Sequence, residues 1–272
     1  MLPAFMVLMV VVNAQKIAVS KGQKLESVVN VKMTMTMDMM GQSMDNNSEV
    51  VTTSEIEVKD VNKEGFQFGN TIKRMTVKSS MMGQDVNFDS DKKEDMDGQM
   101  GQVLKDKIGK SDIINIDKQG KVSNIVGDTS ATTGGIGDVM AMTEKLSKGQ
   151  PYPLLIQLPS KPIKKGDTWT DSSGTVSTLK TVTIYILKEI NAGDYIVSYT
   201  GTVAKNGTIQ QNGMEIQMDI AGTVKGENSY ESASGLLKIG NMVSDIKGSF
   251  EVMGQSVPMT INMTSITNTR KL

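Results

Sequence analysis

Apolar residues recur at every second position in three separate segments of the chain. From residue 32 the sequence reads Lys-Met-Thr-Met-Thr-Met-Asp-Met, so an extended chain carries methionine on one side and threonine or aspartate on the other. The pattern predicts antiparallel strands with one dry face and one wet face. The dry positions are Met33, Met35, Met37 and Met39, then Met214, Ile216, Met218 and Ile220, and finally Val257, Met259, Ile261 and Met263.

Short glycine-containing turns separate the strand-like segments. The triplet Met-Gly-Gln occurs at 40–42, 82–84 and 253–255, with strand-like sequence on both sides of each copy. A glycine at the first central position is what a two-residue type II′ turn requires, because that position has a positive φ. We therefore predict hairpin tips at these places, with further turns at Asn62–Gly65, Asp117–Gly120, Asn191–Gly193, Asn212–Gly213 and Ser234–Gly235.

Two segments have helical rather than strand-like spacing. Residues 136–148, followed by Gly149, carry apolar residues on one side of a helix. The other segment lies between an acidic stretch and Gly109, which suit the two ends of a helix. Its apolar residues are Met96, Met100, Val103, Leu104 and Ile108.

Residues 150–168 contain prolines at 151, 153, 159 and 162 and therefore cannot form a central strand. We predict an extended strap that joins two β-rich halves, residues 15–128 and 168–272. Because both halves contain a Met-Gly-Gln turn, a pseudo-repeat is an open alternative within a single β-rich domain over 15–272. The predicted fold class is mainly all-β, with long antiparallel hairpins in a curved sheet or open half-barrel and one or two short helices.

The beginning of the chain has the pattern of a signal peptide. An apolar run from Leu2 to Val12 precedes Ala14, a small residue suited to cleavage, although no lysine or arginine stands before the run. The run is too short to span a bilayer of about 30 Å. We expect residues 1–14 to be removed, the mature chain to begin near Gln15 without a membrane span, and the protein to be exported to the periplasm or the extracellular space.

Two residue types that carry much enzyme chemistry are absent from the sequence. The lack of cysteine excludes disulfides and thiolate chemistry, and the lack of histidine excludes His-based triads and His-ligated zinc. The 29 lysines and arginines balance 30 aspartates and glutamates without forming a basic block, which argues against nucleic-acid binding. We expect no catalytic residue, no cofactor and no metal site, and predict a non-enzyme.

The chain carries Met-Met-Gly-Gln at 39–42 and 81–84, Leu-Pro-Ser-Lys-Pro-Ile-Lys-Lys-Gly-Asp-Thr-Trp at 158–169, and Tyr-Glu-Ser-Ala-Ser-Gly at 230–235. In this order the motifs resemble an uncharacterised family of secreted or periplasmic proteins of unknown function from Bacteroidota-type bacteria. The resemblance covers most of the mature chain and implies export, and it supplies no catalytic residue. More loosely, long strands with a helix resemble the open half-barrels of lipoproteins and lipid carriers, which is an analogy of fold.

The methionine-rich strands are open to three interpretations. Thioethers are soft ligands for Cu(I), and Met-x-Met spacing places sulfur atoms on one side of a strand. Methionine also fills irregular apolar space in protein cores, which we favour over copper. The functional interpretation that we prefer makes the dry faces the lining of an adaptable apolar groove. Its lining residues would be Met33, Met35, Met37, Met39, Met214, Met218, Met259 and Met263, together with Trp169.

Other motifs have simpler explanations. The acidic run 89–97 has Lys93 where a calcium loop needs an oxygen ligand, so we predict a solvated loop leading into a helix. Ser90 and Lys93 have the spacing of an acyl-enzyme pair but lack its partner motifs. Trp169, the only tryptophan, is expected in the core at a strand start rather than as a stacking platform. The Pro-x-x-Pro sequence at 159–162 is expected to be a stiff connector.

The leading hypothesis is a non-enzymatic, exported protein that binds an apolar small molecule or a lipid through methionine, isoleucine and valine side chains. The alternative is a structural or protein-interaction module of the cell envelope, whose edge strands pair with an envelope protein by β-addition. Binding of Cu(I) is less favoured, and an enzyme that uses only carboxylates, as glycosidases do, is less favoured again because no Asp/Glu pair is singled out.

Overall fold

The computed structural model describes residues 17–272 except 40, 82–83, 127–145, 147, 158, 160–162, 176–178, 192, 212–213 and 253. In this part of the chain, twelve strands form one antiparallel sheet that is not closed, and two short helices pack against it. The predicted fold class is therefore confirmed. The elements are β1 (Lys24–Met39), β2 (Gln42–Val61), β3 (Gly65–Met81), β4 (Gln84–Asp89), α1 (Lys93–Asp97), α2 (Gln99–Leu104), β5 (Ser111–Asp117), β6 (Val122–Val126), β7 (Thr168–Ser173), β8 (Lys180–Ile190), β9 (Asp194–Gln211), β10 (Met214–Glu231), β11 (Leu237–Val252) and β12 (Gln255–Lys271).

The strand order is β6-β5-β3-β2-β1-β12-β11-β10-β9-β8-β7, and β4 pairs with the last part of β3. Most neighbours are consecutive in the chain. The exception at the centre of the sheet is β1 with β12, which pair from Leu25 and Lys271 to Met37 and Met259. Each half of the chain thus forms a meander, and one long-range pairing joins the two. None of the described helices is long and apolar enough to cross a membrane.

The register places the predicted dry positions of the central strands on one side of the sheet. Met33 lies opposite Met263, and Met37 lies opposite Met259. We call this side the Met face and the opposite side the polar face. On β1 and β10, no Met-face position carries a charged residue. The same holds for β2 up to Val58 and for β11 after residue 239. The three alternating segments were therefore correctly predicted as strands with one dry face.

The strap crosses the end of the sheet where β1 begins, and its apolar residues form a core there. Tyr152 and Leu155 pack in one cluster with Phe68 from the first half of the chain and Leu187 from the second. Backbone hydrogen bonds of 2.9 Å join the strap to the turn before β11, from the Ile156 amide to Gly235 and from the Leu237 amide to Leu154. The strap is not a central strand, as predicted, and it also fills the space between the two halves.

The first predicted helix is present as two short helices, α1 and α2, separated at Gly98. Its apolar residues pack on the Met face of β2, β3 and β4, apart from Val103, which is exposed. Gly98 interrupts the helix because its extended backbone (φ −77°, ψ 179°) breaks the i to i−4 hydrogen-bond ladder. Of the second predicted helix, 136–148, nearly all residues lie outside the described part of the chain. The packed residues are Met96, Met100, Leu104 and Ile108 against Val50, Met75, Val77 and Phe88.

The Met-Gly-Gln triplets lie at hairpin tips, but the predicted position of the glycine was wrong. Met39 pairs with Gln42, so Gly41 is the second central residue of its turn. Its φ is 78°, and the equivalent Gly254 has φ 76°. A positive φ at the second position belongs to type I′ or type II turns, not to type II′. Position 83 of the remaining triplet lies outside the described residues.

Two glycines on the Met face allow the sheet to coil tightly. A Cβ atom added to Gly248 would lie 2.0 Å from the carbonyl oxygen of Asp219, and one added to Gly222 would lie 2.3 Å from that of Asp245. No side chain fits at such distances, because the backbones of β10 and β11 approach each other closely there. These glycines therefore mark the bend that curves the sheet around its Met face.

The two outermost strands of the sheet lie close together. Lys121, which precedes β6, forms an ion pair with Asp171 of β7. The Val122 amide donates a hydrogen bond of 2.8 Å to Gln150, and the Gly149 amide donates one of 2.7 Å to Val122. The outermost strands β6 and β7 are thus not paired with each other, but the Lys121–Asp171 ion pair and the strap connect the two edges of the sheet.

Replacing Gly248 by alanine is expected to lower the free energy of unfolding by about 1–3 kcal/mol, because the new Cβ atom forces the strands apart. Gly193 supplies the matched control, since nothing lies within 4 Å of an added Cβ there. Gly193→Ala should leave stability unchanged or raise it slightly. Urea unfolding followed by circular dichroism measures both variants. Equal stability would contradict the role of Gly248 in bending the sheet.

Candidate ligand site on the Met face

Methionines from four strands form one cluster on the Met face, away from the strap. Seven of its residues are buried, with exposed fractions between 3 and 9%. Partly buried apolar side chains pack around them. We call this set the Met cluster: Met33, Met35, Met218, Ile220, Met259, Ile261 and Met263, surrounded by Val31, Met37, Met242, Ile246 and Phe250.

The structure brings together most of the residues predicted to line a groove. Met33, Met35, Met37, Met218, Met259 and Met263 all belong to the Met cluster or pack against it. Met39 and Met214 lie at the ends of β1 and β10, and their side chains are outside the description. Trp169 lies elsewhere, against the core formed with the strap. The part these residues play in lining a ligand site stays a prediction.

Trp169 begins an aromatic stack on the Met face of the outer strands. Its ring lies 5.4 Å from that of Tyr185, which lies 6.0 Å from that of Tyr199. Burial raises the pKa of Tyr185 to about 12, and the nearby Asp171 adds to the effect. Burial also raises the pKa of Tyr199 to about 12. Both phenols therefore stay neutral at physiological pH, and Trp169 and Tyr185 are partly buried against the core formed with the strap.

Buried polar side chains lie beside the Met cluster, and the sequence analysis overlooked them. Ser48 lies opposite Met33, and Ser244 lies opposite Met263. The Ser79 hydroxyl donates a hydrogen bond of 3.1 Å to the side-chain oxygen of Asn46. All four polar residues are at least nine-tenths buried. Their burial could have been predicted from the alternating pattern, because each of them occupies a dry position of its strand.

The hydroxyl of Ser244, unlike that of Ser79, has no hydrogen-bond partner. Its Oγ atom is buried and makes no hydrogen bond, and the residue is 3% exposed. Polar atoms that are buried in proteins are nearly always hydrogen-bonded, because an unmet donor costs about 1–3 kcal/mol. A free donor therefore points into the uncharged interior next to Met263.

A concave region of a different kind lies on the polar face. It is a groove of about 550 Å³ that crosses β4, β3, β2, β1, β12 and β11. Lys32 and Glu49 face each other in it at 3.6 Å, and Lys78, Asp85 and Asp245 add charges of both signs. An adjoining groove of about 490 Å³ continues towards β8. Charges of both signs line the first groove, whereas Ile186 and Val243 are exposed in the second.

The acidic run 89–97 holds the helices in place. Arg74 donates to both carboxylate oxygens of Asp89, at 3.1 and 2.7 Å, and this hydrogen bonding lowers the pKa of Asp89. The Asp95 carboxylate accepts a hydrogen bond of 2.8 Å from the Asp89 amide. A turn at residues 90–91 then leads into α1. The run leads into a helix as predicted, but only residues 90–92 form the connection, because α1 already begins at Lys93 within the run.

Two overlapping stretches of the chain, residues 63–148 and 141–237, match the model of a family of unknown function (DUF6263). Together they cover more than half of the 272 residues. The stretches include the strap and the 230–235 turn on which the resemblance to an uncharacterised family depended. The bacterial group inferred from that resemblance stays a prediction. No curated protein matches the chain.

Among solved structures, the chain is similar to lipovitellin, whose structure was described for its lipid–protein interactions. The TM-score is 0.51 at 12% identity, and the alignment covers 92% of this chain and 25% of lipovitellin. The chain thus spans about a quarter of that protein, and the likeness is one of fold alone. An outer membrane channel from Pseudomonas putida F1 aligns over 93% of this chain and 97% of its own at 6% identity, but its TM-score of 0.28 carries no argument.

Met263→Ala is expected to lower the free energy of unfolding by about 2–5 kcal/mol, because it leaves a cavity in the Met cluster. Met263→Leu conserves the volume and should cost less than about 1.5 kcal/mol. Chemical denaturation of the three proteins measures the difference. A loss below about 1 kcal/mol for the alanine variant would mean that the thioether is not packed as described.

Proposed function

Since the chain belongs to the DUF6263 family, whose function is unknown, we propose that it is a non-enzymatic protein that binds an apolar or amphipathic molecule, such as a lipid, on its Met face. One observation carries the proposal. The Met face carries no charged residue on β1 and β10 and is coated with thioethers in the half that the strap does not reach. A face of this kind binds hydrocarbon through burial of apolar surface area rather than through charge.

Methionine suits such a site better than branched or aromatic residues do. Its side chain is unbranched and has several rotatable bonds, so it can fill the cluster by itself and then rearrange around a ligand. Six of the methionines predicted as lining residues come from three different strands, β1, β10 and β12, so rearrangement need not break any strand pairing. The closed state is then the free form, and a ligand replaces contacts between thioethers.

The helices α1 and α2 supply the route by which the Met face opens. They cover its β2–β4 portion with only three apolar side chains, Met96, Met100 and Leu104, to which Ile108 adds a fourth just after α2, and Gly98 lies between the helices. Neither Lys92 nor Gly98 caps its helix with a side-chain hydrogen bond, and α1 has no buried residue. A cover with short helices and few buried contacts opens at lower free energy than the strands beneath it. We infer that a ligand enters there.

The lipovitellin fold is consistent with this proposal. An open, curved antiparallel sheet can surround hydrocarbon on one face while water contacts the other, and the described chain has the same division between its two faces. The support is at the level of the fold, since identity is 12%.

The alternative, a module that pairs with an envelope protein through a strand edge, has less support. The β6 edge already pairs with the strap through Gln150 and Gly149. The β7 edge carries Asp171, which forms an ion pair with Lys121. Strand addition at either outermost edge would have to displace these contacts first.

We also propose that the protein acts outside the cytoplasm. The supporting pattern is the apolar run and Ala14 of residues 1–14, which lie outside the described part of the chain. Protein recovered from its own cells should then begin near Gln15, because the signal is cleaved on export. Intact mass spectrometry of the cell fractions measures this. A chain that keeps Met1 and stays in the cytoplasmic fraction would refute export.

Native mass spectrometry of the protein purified from its own cells should reveal species heavier than the apo chain, with added masses that solvent extraction identifies as lipid. Met37→Glu introduces a charge at the accessible rim of the Met cluster and should remove these species, because burial of an unpaired carboxylate is costly. Met37→Gln tests the same position without a charge and should weaken binding less.

The matched control is Thr34→Glu, which puts the same carboxylate on the polar face of the same strand, where Thr34 donates a hydrogen bond of 2.8 Å to Asn47. This variant should keep the bound lipid. Circular dichroism verifies that all variants are folded. Wild-type protein that is entirely apo after gentle purification, or equal loss of lipid from both glutamate variants, would refute lipid binding on the Met face.

A further inference from the structure

The structure assigns a specific contact to the ligand of the Met face: we propose that Ser244 donates a hydrogen bond to an uncharged carbonyl oxygen, so that the site takes acyl esters rather than fatty-acid anions or plain hydrocarbon. The inference rests on the proposed function and gives it a ligand class. It starts from the buried Ser244 hydroxyl that has no partner.

Ser244 is the unpartnered polar atom that belongs to the ligand site. Among the described residues, four other buried side-chain atoms lack a hydrogen bond, on Asn30, Asn70, Trp169 and Thr269. None of these residues is paired with a member of the Met cluster. Ser244 is directly opposite Met263, and it lies one strand away from Val224. An acceptor that reached Met263 would therefore come within range of a free donor.

The residues around Ser244 favour an uncharged acceptor. On the Met face its row contains Met263 and Val224, and the next position along β11 is Ile246, opposite Ile261 and Gly222. The preceding position is Met242, opposite Ser265. On β10, β11 and β12, no lysine or arginine occupies the Met-face rows of Met242, Ser244 and Ile246, and Lys205 lies further away, on β9 opposite Ile220. A carboxylate or phosphate would be buried without a counter-charge, whereas an ester carbonyl accepts one hydrogen bond and carries no net charge.

The neighbouring polar residues support this division of roles. Ser79 and Asn46 satisfy each other through their 3.1 Å hydrogen bond. They lie on β3 and β2, across β1 and β12 from Ser244. Their polarity is therefore used within the protein, while the Ser244 donor is left for a molecule that the free protein does not contain.

Three probes of equal chain length separate the possibilities: methyl palmitate, which has an ester carbonyl, hexadecane, which has no acceptor, and palmitate, which is charged. Delipidated wild-type protein should bind methyl palmitate most tightly. Ser244→Ala should weaken binding of methyl palmitate about fivefold, the usual net effect of one hydrogen bond, and leave hexadecane binding unchanged. Ser198→Ala, which removes a hydroxyl from the polar face of β9, should change neither.

Stability supplies a second readout that a purely structural serine would not give. Since the Ser244 hydroxyl is unsatisfied in the free protein, Ser244→Ala should raise the urea midpoint of the apo form while weakening ester binding. Isothermal titration and urea unfolding measure the two effects. A lower midpoint, unchanged affinity for methyl palmitate, or tighter binding of palmitate than of its ester would each overturn the assignment.

The failures are distinguishable. Wild-type protein that binds none of the three probes would refute the lipid-binding function together with this inference. Equal affinity of wild-type protein for hexadecane and methyl palmitate would leave lipid binding on the Met face intact and remove the role of Ser244 alone.

Discussion

The structure depends on keeping the apolar Met face of a very wide sheet away from water. A flat sheet of twelve strands would expose that face, and two short helices and a strap are too small to cover it. The chain instead curves the sheet around its own Met face, so that β10 and β11 contribute to the same cluster as β1 and β12. Gly222 and Gly248 permit this because a Cβ atom at either position would collide with the neighbouring backbone.

Local patterns predicted most of the sheet but not the pairings that close it. The period of two located β1, β10 and β12 and identified their dry faces, because alternation is a property of each strand alone. Pairing of β1 with β12 joins residues more than 200 positions apart and leaves no local signature. The strap shows the same limit, since its prolines exclude a central strand but do not reveal that Tyr152 and Leu155 complete the core.

The sequence predicted which methionines form the candidate site, but it did not predict the buried polar side chains beside them. Six predicted methionines meet in one cluster because they lie on the same face of the sheet. Burial of that face also fixes the register in which the strands pair. Trp169 was grouped with them on aromatic character, but β7 is at the edge of the sheet and places it against the strap core. Ser244 was missed because a serine at one dry position among apolar neighbours resembles a small packing residue until its hydrogen bonds are counted.

The proposed opening is energetically reasonable for a ligand of ordinary size. Burial contributes about 0.8 kcal/mol per CH₂ group, so a sixteen-carbon chain offers on the order of 10 kcal/mol. This is comparable with the whole stability of a typical domain, ~5–15 kcal/mol. Displacing α1 and α2 exposes only their few contacts with β2, β3 and β4 and should cost a fraction of that amount. A ligand therefore shifts the equilibrium through contacts that only the open form provides, and the strand pairing of the sheet stays intact.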